Sequence, residues 1–264
     1  MITSAQNKVL KEIKALSRKK DRVKTGLFIA EGLRFVMSAV EIQADIEVIV
    51  YSDSVYRTDE GTTFVNQLIK DANYKVLEAE EKLFNELSDT QSPQGILAVV
   101  KQPKADWPNI IEPNGFVMIL DRLQDPGNLG TIIRTADAAG ADGVILLKGT
   151  VDVYNPKVLR STMGSIFEMP ILEGVSWEET QQKLKESGYL IASTALEDSV
   201  EYDSLDYTKA TAMIIGNEAN GISDEVLKQS DVRVKIPIVG SAESLNAGVA
   251  AAVMMYEVLR QRRK

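Results

Sequence analysis

Apolar positions along the chain change period at Gly26. Before it, Val9, Leu10, Ile13 and Leu16 recur at helical spacing, which predicts a helix over residues 4–17 with Ser4 as its cap. After it, short apolar runs at 27–30, 48–51, 76–77 and 96–100 alternate with helical stretches at 33–40, 64–69 and 83–87. Strands separated by helices predict a small α/β domain.

Residues 101–114 carry Pro103, Trp107, Pro108 and Pro113 and have no clear period, so they read as a linker. A boundary there gives two domains, 1–105 and 106–264. Beyond it come a strand at 116–120, a glycine-containing loop, a helix at 131–139, a turn at 140–143 and a strand at 144–147, which together make a βαβ unit. Further strands are expected at 190–193, 212–215 and 232–236, with helices around Val158, Leu184 and Val226 and a long last helix over about 244–260. The second domain is therefore expected to be α/β with a parallel sheet.

Composition narrows the chemistry. The sequence has neither cysteine nor histidine. This removes disulfides, thiolate or His-ligated metal sites, Cys nucleophiles and Ser-His-Asp catalysis. Acid-base work falls to carboxylates, hydroxyls, Lys, Arg, Tyr or the substrate. With 44% hydrophobic residues the chain can bury a substantial core. No apolar run approaches the roughly 20 residues needed to span a bilayer, and Met1 to Leu10 lacks the apolar stretch of a signal peptide. A cytoplasmic protein is expected.

The net charge of −8 argues mildly against a nucleic-acid partner, but its distribution is uneven. Lys8, Lys11, Lys14, Arg18, Lys19, Lys20, Arg22, Lys24 and Arg34 crowd the N-terminus against Glu12, Asp21 and Glu31, and Arg260, Arg262, Arg263 and Lys264 close the chain. On charge alone, a solvated helix face with a basic tail and a phosphate-facing surface stay equally open.

Three segments of the second domain put Gly, Asn, Ser, Glu or Arg where a strand ends, the place where open α/β sheets bind ligands. The first, residues 120–134, holds Gly127, Asn128, Gly130 and Arg134 but lacks the spacing of a dinucleotide fingerprint or a P-loop. Arg134 follows Ile132 and Ile133 and precedes Ala136, Ala138 and Ala139, so it is expected near the sheet or paired with an acid. The second, 214–222, runs Ile215, Gly216, Asn217 and Glu218 into Gly221. The third, 236–252, contains Ile236, Ser244, Leu245 and Asn246, with Ser244 an acceptable cap for the small-residue helix that follows. Taken singly, each is explained by capping, turning and close packing.

In this order the three segments resemble the motifs of the SpoU (TrmH) family of RNA ribose methyltransferases, within the SPOUT superfamily. The first motif matches Asn128 to Arg134, the second Gly216 to Gly221, and the third Ser244-Leu245-Asn246 with the helix after it. Residues 160–167 are similar to the family's segment between the first two motifs. Phe28 to Arg34 and Ser92 to Ala98 are similar, more loosely, to the small ribosomal-protein-like RNA-binding domain that precedes the catalytic domain in many members. The resemblance implies a trefoil-knotted catalytic domain, one of the exceptions to the rule against threaded chains. It also implies a homodimer, and S-adenosylmethionine held by backbone groups around Gly216, Ile236 and Leu245, with Ile215, Asn217 and Gly221 beside them. Arg134 would stand at the reacting centre and Asn128 would arrange it. Glu218 would hold Arg134 or the second motif's loop, and Ser244 and Asn246 would bond the loop, the cofactor or the ribose. No metal is implied.

The implied substrate is a structured RNA. The added N-terminal domain favours ribosomal over transfer RNA, and it turns the basic N-terminus into an RNA-facing surface. Two rivals stand beside this reading: methylation of a base nitrogen by the same fold, and a non-catalytic RNA-binding assembly factor that keeps it.

Overall fold

A computed structural model describes residues 1–263, so Lys264 of the expected basic tail lies outside the described residues. The chain divides into two compact units, Met1–Pro103 and Lys104–Lys264.

The first unit runs α1 (Lys8–Ala15), α2 (Lys19–Thr25), β1 (Leu27–Glu31), α3 (Leu33–Glu41), β2 (Ile46–Tyr51), α4 (Asp59–Lys70), β3 (Val76–Glu78), α5 (Glu81–Asn85) and β4 (Ile96–Lys101). Its four strands lie in the order β1-β4-β2-β3, with β4 antiparallel to both neighbours and β3 parallel to β2. Ile13 and Leu16 beneath α1 and Phe84 of α5 close over Val48, Val50, Leu97 and Val99. The first helix starts later than expected. Asn7, and not Ser4, is its cap, accepting the Val9 N–H at 2.9 Å.

The second unit continues with β5 (Phe116–Leu120), α6 (Pro126–Ala138), β6 (Gly143–Leu147), α7 (Pro156–Thr162), β7 (Ile171–Val175), α8 (Trp177–Glu186), β8 (Leu190–Thr194), β9 (Val200–Glu201), β10 (Thr211–Ile215), α9 (Asp224–Gln229), β11 (Val232–Lys235) and α10 (Ala247–Arg262). All its ladders are parallel, in the order β7-β6-β5-β10-β8-β11-β9. Every residue of β5, β6 and β10 is buried. Such strands read as unbroken apolar runs because helices cover both faces of the sheet. Trp177 and Leu184 of α8 and Val226 of α9 pack on one face, over Val117, Ile119, Ile145 and Ile214.

The stretch expected to be a linker belongs to this core. Ile110 is fully buried, and Trp107 and Ile111 pack beside it. A Cβ on Gly143 would come within 2.7 Å of Ile110, so the glycine opens the seat that Ile110 fills. Two helix starts also differ from expectation. α6 begins at Pro126, with Asp125 capping through the Asn128 N–H, and α10 begins at Ala247, with Asn246 in place of Ser244 as the cap. Among the described residues no helix is long and apolar enough to cross a membrane.

From β5 the chain winds outward through β6 to β7, then returns to the other side of β5 with β10 beside it. The gap between the ends of β5 and β10 is therefore the topological switch point. α6, which leaves β5, packs against both α7 and α10. A Cβ on Gly130 of α6 would lie 2.4 Å from the Ser161 Cβ and 2.6 Å from the Val158 carbonyl oxygen of α7. Gly130→Ala should therefore cost about 1–3 kcal/mol from overpacking, against the gain of roughly 1 kcal/mol that the same change gives in a free helix. Chemical denaturation decides it: a stabilised variant would show that the two helices can part.

Candidate active site

Three loops leave the carboxyl edge at the switch point: 121–125 after β5, 216–223 after β10 and 236–246 after β11. Their side chains and backbones are joined by hydrogen bonds that centre on Glu218. Its carboxylate accepts the Gln124 N–H at 3.0 Å, the Asp125 N–H at 2.9 Å and the Asn128 side-chain amide at 3.0 Å. Asn128, only 8% exposed, accepts in turn from the Asn246 amide at 2.9 Å. The Asn246 side-chain oxygen then caps α10 through the Gly248 and Val249 N–H groups. A single chain of bonds thus runs from the second loop, through the start of α6, to the start of α10. Burial pushes the Glu218 carboxyl up, but the Asn128 amide and the Gln124 and Asp125 N–H groups together hold it below its ordinary value.

The second loop is folded on itself. Asn217 and Gly221 exchange two backbone hydrogen bonds, and the Asn217 side-chain oxygen accepts the Ala219 and Asn220 N–H groups. The Asn217 amide donates to the Arg122 carbonyl at 2.9 Å and so ties this loop to the first. Gly216 is required by close approach: its Cβ would stand 2.3 Å from the Gly221 carbonyl carbon and the Ile222 nitrogen. Gly221 is required by its φ of 64° and has open space around it, as does Gly240.

A cleft of about 700 Å³ opens beside the switch point. Ile215, Gly216, Asn217, Glu218 and Gly221 line it from the second loop, and Ile236, Ser244, Leu245 and Asn246 from the third. Every residue expected to hold the cofactor is there. The volume suits a small-molecule site, and Leu196 (64% exposed) and Leu245 (38%) leave apolar wall uncovered for a ring system. Thr194, Ala195, Leu196 and Glu197 also line it, a wall that sequence reasoning did not single out. The signal was available, since β8 ends on the same carboxyl edge. Asp121 was missed too. It is buried, accepting the Ser223 N–H at 2.7 Å and pairing with the Arg122 guanidinium at 3.1 Å. An acid directly after an all-apolar strand must be paired in this way.

Arg134 departs from expectation. It lies on the exposed side of α6, outside the cleft lining, and among the described residues it has no acid or hydrogen-bond partner. Glu218 spends its bonds on the first loop and does not hold Arg134. Ser244 lines the cleft without a hydrogen bond among the described residues.

Comparison with known proteins places this geometry. The SpoU rRNA Methylase family model matches residues 115–256, and a model for an MRM3-like substrate binding domain matches residues 7–98. The 23S rRNA (guanosine(2553)-2'-O)-methyltransferase RlmP of Bacillus subtilis is 35% identical over 257 residues, covering 97% of this chain and 98% of that protein. A 23S rRNA (uridine(2479)-2'-O)-methyltransferase of Streptomyces viridochromogenes is 33% identical, covering 94% of this chain and 87% of that one. The AdoMet-bound rRNA methyltransferase from Sinorhizobium meliloti superposes with a TM-score of 0.86 at 34% identity, over 98% of this chain and 97% of that chain.

The Glu218 carboxylate yields a test with a defined pH direction. Glu218→Gln leaves one acceptor for three donors and should lower stability by about 1 kcal/mol, the low end because Glu218 is exposed. Since the folded pKa is depressed, the wild-type advantage is complete above the unfolded value of about 4.3 and is lost as pH falls through the folded one. Melting curves of both proteins between neutral and acid pH check this. A difference that grows on acidification would contradict the assigned hydrogen bonds.

Proposed function

The chain belongs to the SpoU rRNA methylase family, and from that premise we propose that it methylates a ribose 2′-hydroxyl of 23S ribosomal RNA, using S-adenosylmethionine. The observation that carries this reading is the bond chain Glu218–Asn128–Asn246, which locks three motif loops at the mouth of the cleft while a lone arginine stands outside it. The residues lining the cleft fit the cofactor: apolar Ile215, Ile236, Leu196 and Leu245 for its adenine, and the backbone around Gly216 for the ring edge. When bound, the cofactor supplies an electrophilic sulfonium methyl group.

Arg134 acts on the acceptor. A guanidinium stays protonated at neutral pH and does not serve as a base, but it donates hydrogen bonds to the ribose oxygen and stabilises its charge as the proton passes to solvent. The Glu218 carboxylate, occupied by three N–H donors, holds the loops and does not take that proton. Asn128 and Asn246 fix the starts of α6 and α10, so that Arg134 keeps its place relative to the cleft. Ser244, free to rotate, bonds the ribose or the cofactor.

The first unit grips the RNA. Lys8, Lys14 and Arg18 are engaged with Glu12, Glu86 and Asp21, whereas Lys19, Lys20 and Lys24 of α2 are exposed and have no partner among the described residues. Those free ammonium groups suit backbone phosphates despite the overall negative charge. The working unit is a homodimer, supported by the exposed Val249 and Tyr256 on α10. The second unit is a trefoil knot, supported by the return of residues 236–246 to the cleft that the second loop lines. The site of action is the cytoplasm.

Transfer of labelled methyl to unmodified 23S ribosomal RNA and to transfer RNA, followed by alkaline digestion, tests the reading. Alkali-resistant label in ribosomal RNA is expected. Arg134→Ala should lower kcat about 10²–10³-fold. Cofactor affinity should stay within about twofold, because Arg134 does not line the cleft. Alkali-labile label would mean base methylation, and absence of cofactor binding would mean a non-catalytic RNA-binding protein.

A further inference from the structure

α7 ends on a residue that does not suit its backbone. Met163, the C-cap, has φ 51° and ψ 37°, a left-handed conformation that disfavours an L side chain and that glycine enters freely. The side chain is 62% exposed, so burial in its own chain does not explain a methionine there. Its surroundings are rigid. Thr162 is fully buried and donates to the Leu159 carbonyl at 2.7 Å, Ser165 and Ile166 are buried, and the Ser165 N–H bonds the Thr162 carbonyl at 3.1 Å. The turn therefore holds one flexible apolar side chain out into solvent at a fixed point.

That point lies level with Arg134. At their starts, α6 and α7 are joined by Lys157 and Asp125, 3.7 Å apart. Further along, Gly130 sits against Val158 and Ser161. The two helices therefore run side by side in the same direction, and Arg134, one turn beyond Gly130, reaches the level where α7 ends. Both side chains are exposed, one a free cation and the other a soft apolar thioether. The pair is complementary to a splayed nucleotide: guanidinium toward the ribose and phosphate, sulfur toward the face or edge of the base.

We propose that Met163 is a positioning residue that packs against the base of the acceptor nucleotide and so holds its ribose beside Arg134. The inference rests on the reading of Arg134 as the residue at the reacting centre. It assigns a reason for retaining a strained methionine where glycine would relax the turn.

The test compares Met163→Gly and Met163→Leu with wild type and Arg134→Ala in the full chain. Readouts are steady-state transfer to unmodified 23S ribosomal RNA, cofactor Kd, Tm, and mass by light scattering. Met163→Gly should raise KM for RNA roughly 2- to 12-fold, the factor that one sulfur–ring contact is worth. Its kcat and cofactor Kd should stay within about twofold and its Tm should not fall, since the variant sheds backbone strain. Met163→Leu, which restores the apolar bulk without the sulfur, should recover only part of the loss. A purely structural role would lower Tm without this KM-against-kcat split. Unchanged RNA KM in Met163→Gly, with Arg134→Ala inactive, overturns this proposal alone. Full activity of Arg134→Ala overturns the reading beneath it. A KM rise that follows loss of dimer mass, or a Tm fall shared by both Met163 variants, assigns Met163 to a subunit contact or to the fold and overturns the proposal too.

Discussion

The Glu218 carboxylate accepts N–H donors from Gln124, Asp125 and Asn128, residues 90 to 94 positions earlier in the chain. Two of these donors belong to the turn that starts α6, where backbone N–H groups have no partner within the helix. The acid therefore satisfies them and places a negative charge at the positive end of the helix dipole. Its third donor, Asn128, cannot turn away without also releasing the amide of Asn246, the residue that caps α10. One ionised group thus sets the relative position of two helices and two loops, and through the loops the shape of the cleft.

Sheet order explains why this link lies where it does. Because β10 returns beside β5, the loops after these strands meet although nearly a hundred residues separate them. The same order separates two tasks. Cleft-lining residues gather on the side of β10, β8 and β11, while the exposed cation and the α6–α7 seam gather on the side of β5 and β6. Close approach makes both sides compact. Gly216 lets the second loop fold onto its own strand end, and Gly130 lets α6 touch α7 nearly backbone to backbone. Neither contact leaves room for a methyl group, so the site is defined as much by absent side chains as by present ones.

The strands of the second unit were legible because strands covered on both faces carry continuous apolar residues, as β5, β6 and β10 do. The cleft residues were legible as a set only through the order of three motifs, since each motif alone is ordinary turn chemistry. What stayed hidden was tertiary. Ile110 sits among prolines in a segment without a period, and only the seat above Gly143 makes it core. Pro126-Gly127 reads as loop, although Pro at the first helical position with Asp125 as cap is a helix start. Asn246 displaced Ser244 as a cap because its side chain serves Asn128 and α10 at once. The apolar positions flanking Arg134 suggested a residue near the sheet or paired with an acid, but they describe the two buried neighbours of an exposed one on a helix packed between two others.

A strained backbone at this site has an identifiable use. Arg122, like Met163, is a non-glycine residue in the left-handed region, with φ 57°. In that conformation its carbonyl receives the Asn217 amide, and its guanidinium pairs with the buried Asp121 carboxylate. Gly149, whose Cβ would stand 3.2 Å from the Arg122 Cγ, leaves the space for the arginine stem. Asp121, by accepting the Ser223 N–H, links the same turn to the segment entering α9. Residue 122 therefore needs both a side chain that glycine lacks and a backbone that glycine prefers. Such a compromise costs on the order of 1–3 kcal/mol and survives only where surrounding bonds over-determine it. At 122 those bonds are visible within the chain, whereas at 163 the side chain meets solvent. Under the proposed reading, packing against the acceptor base takes the place of those bonds at Met163.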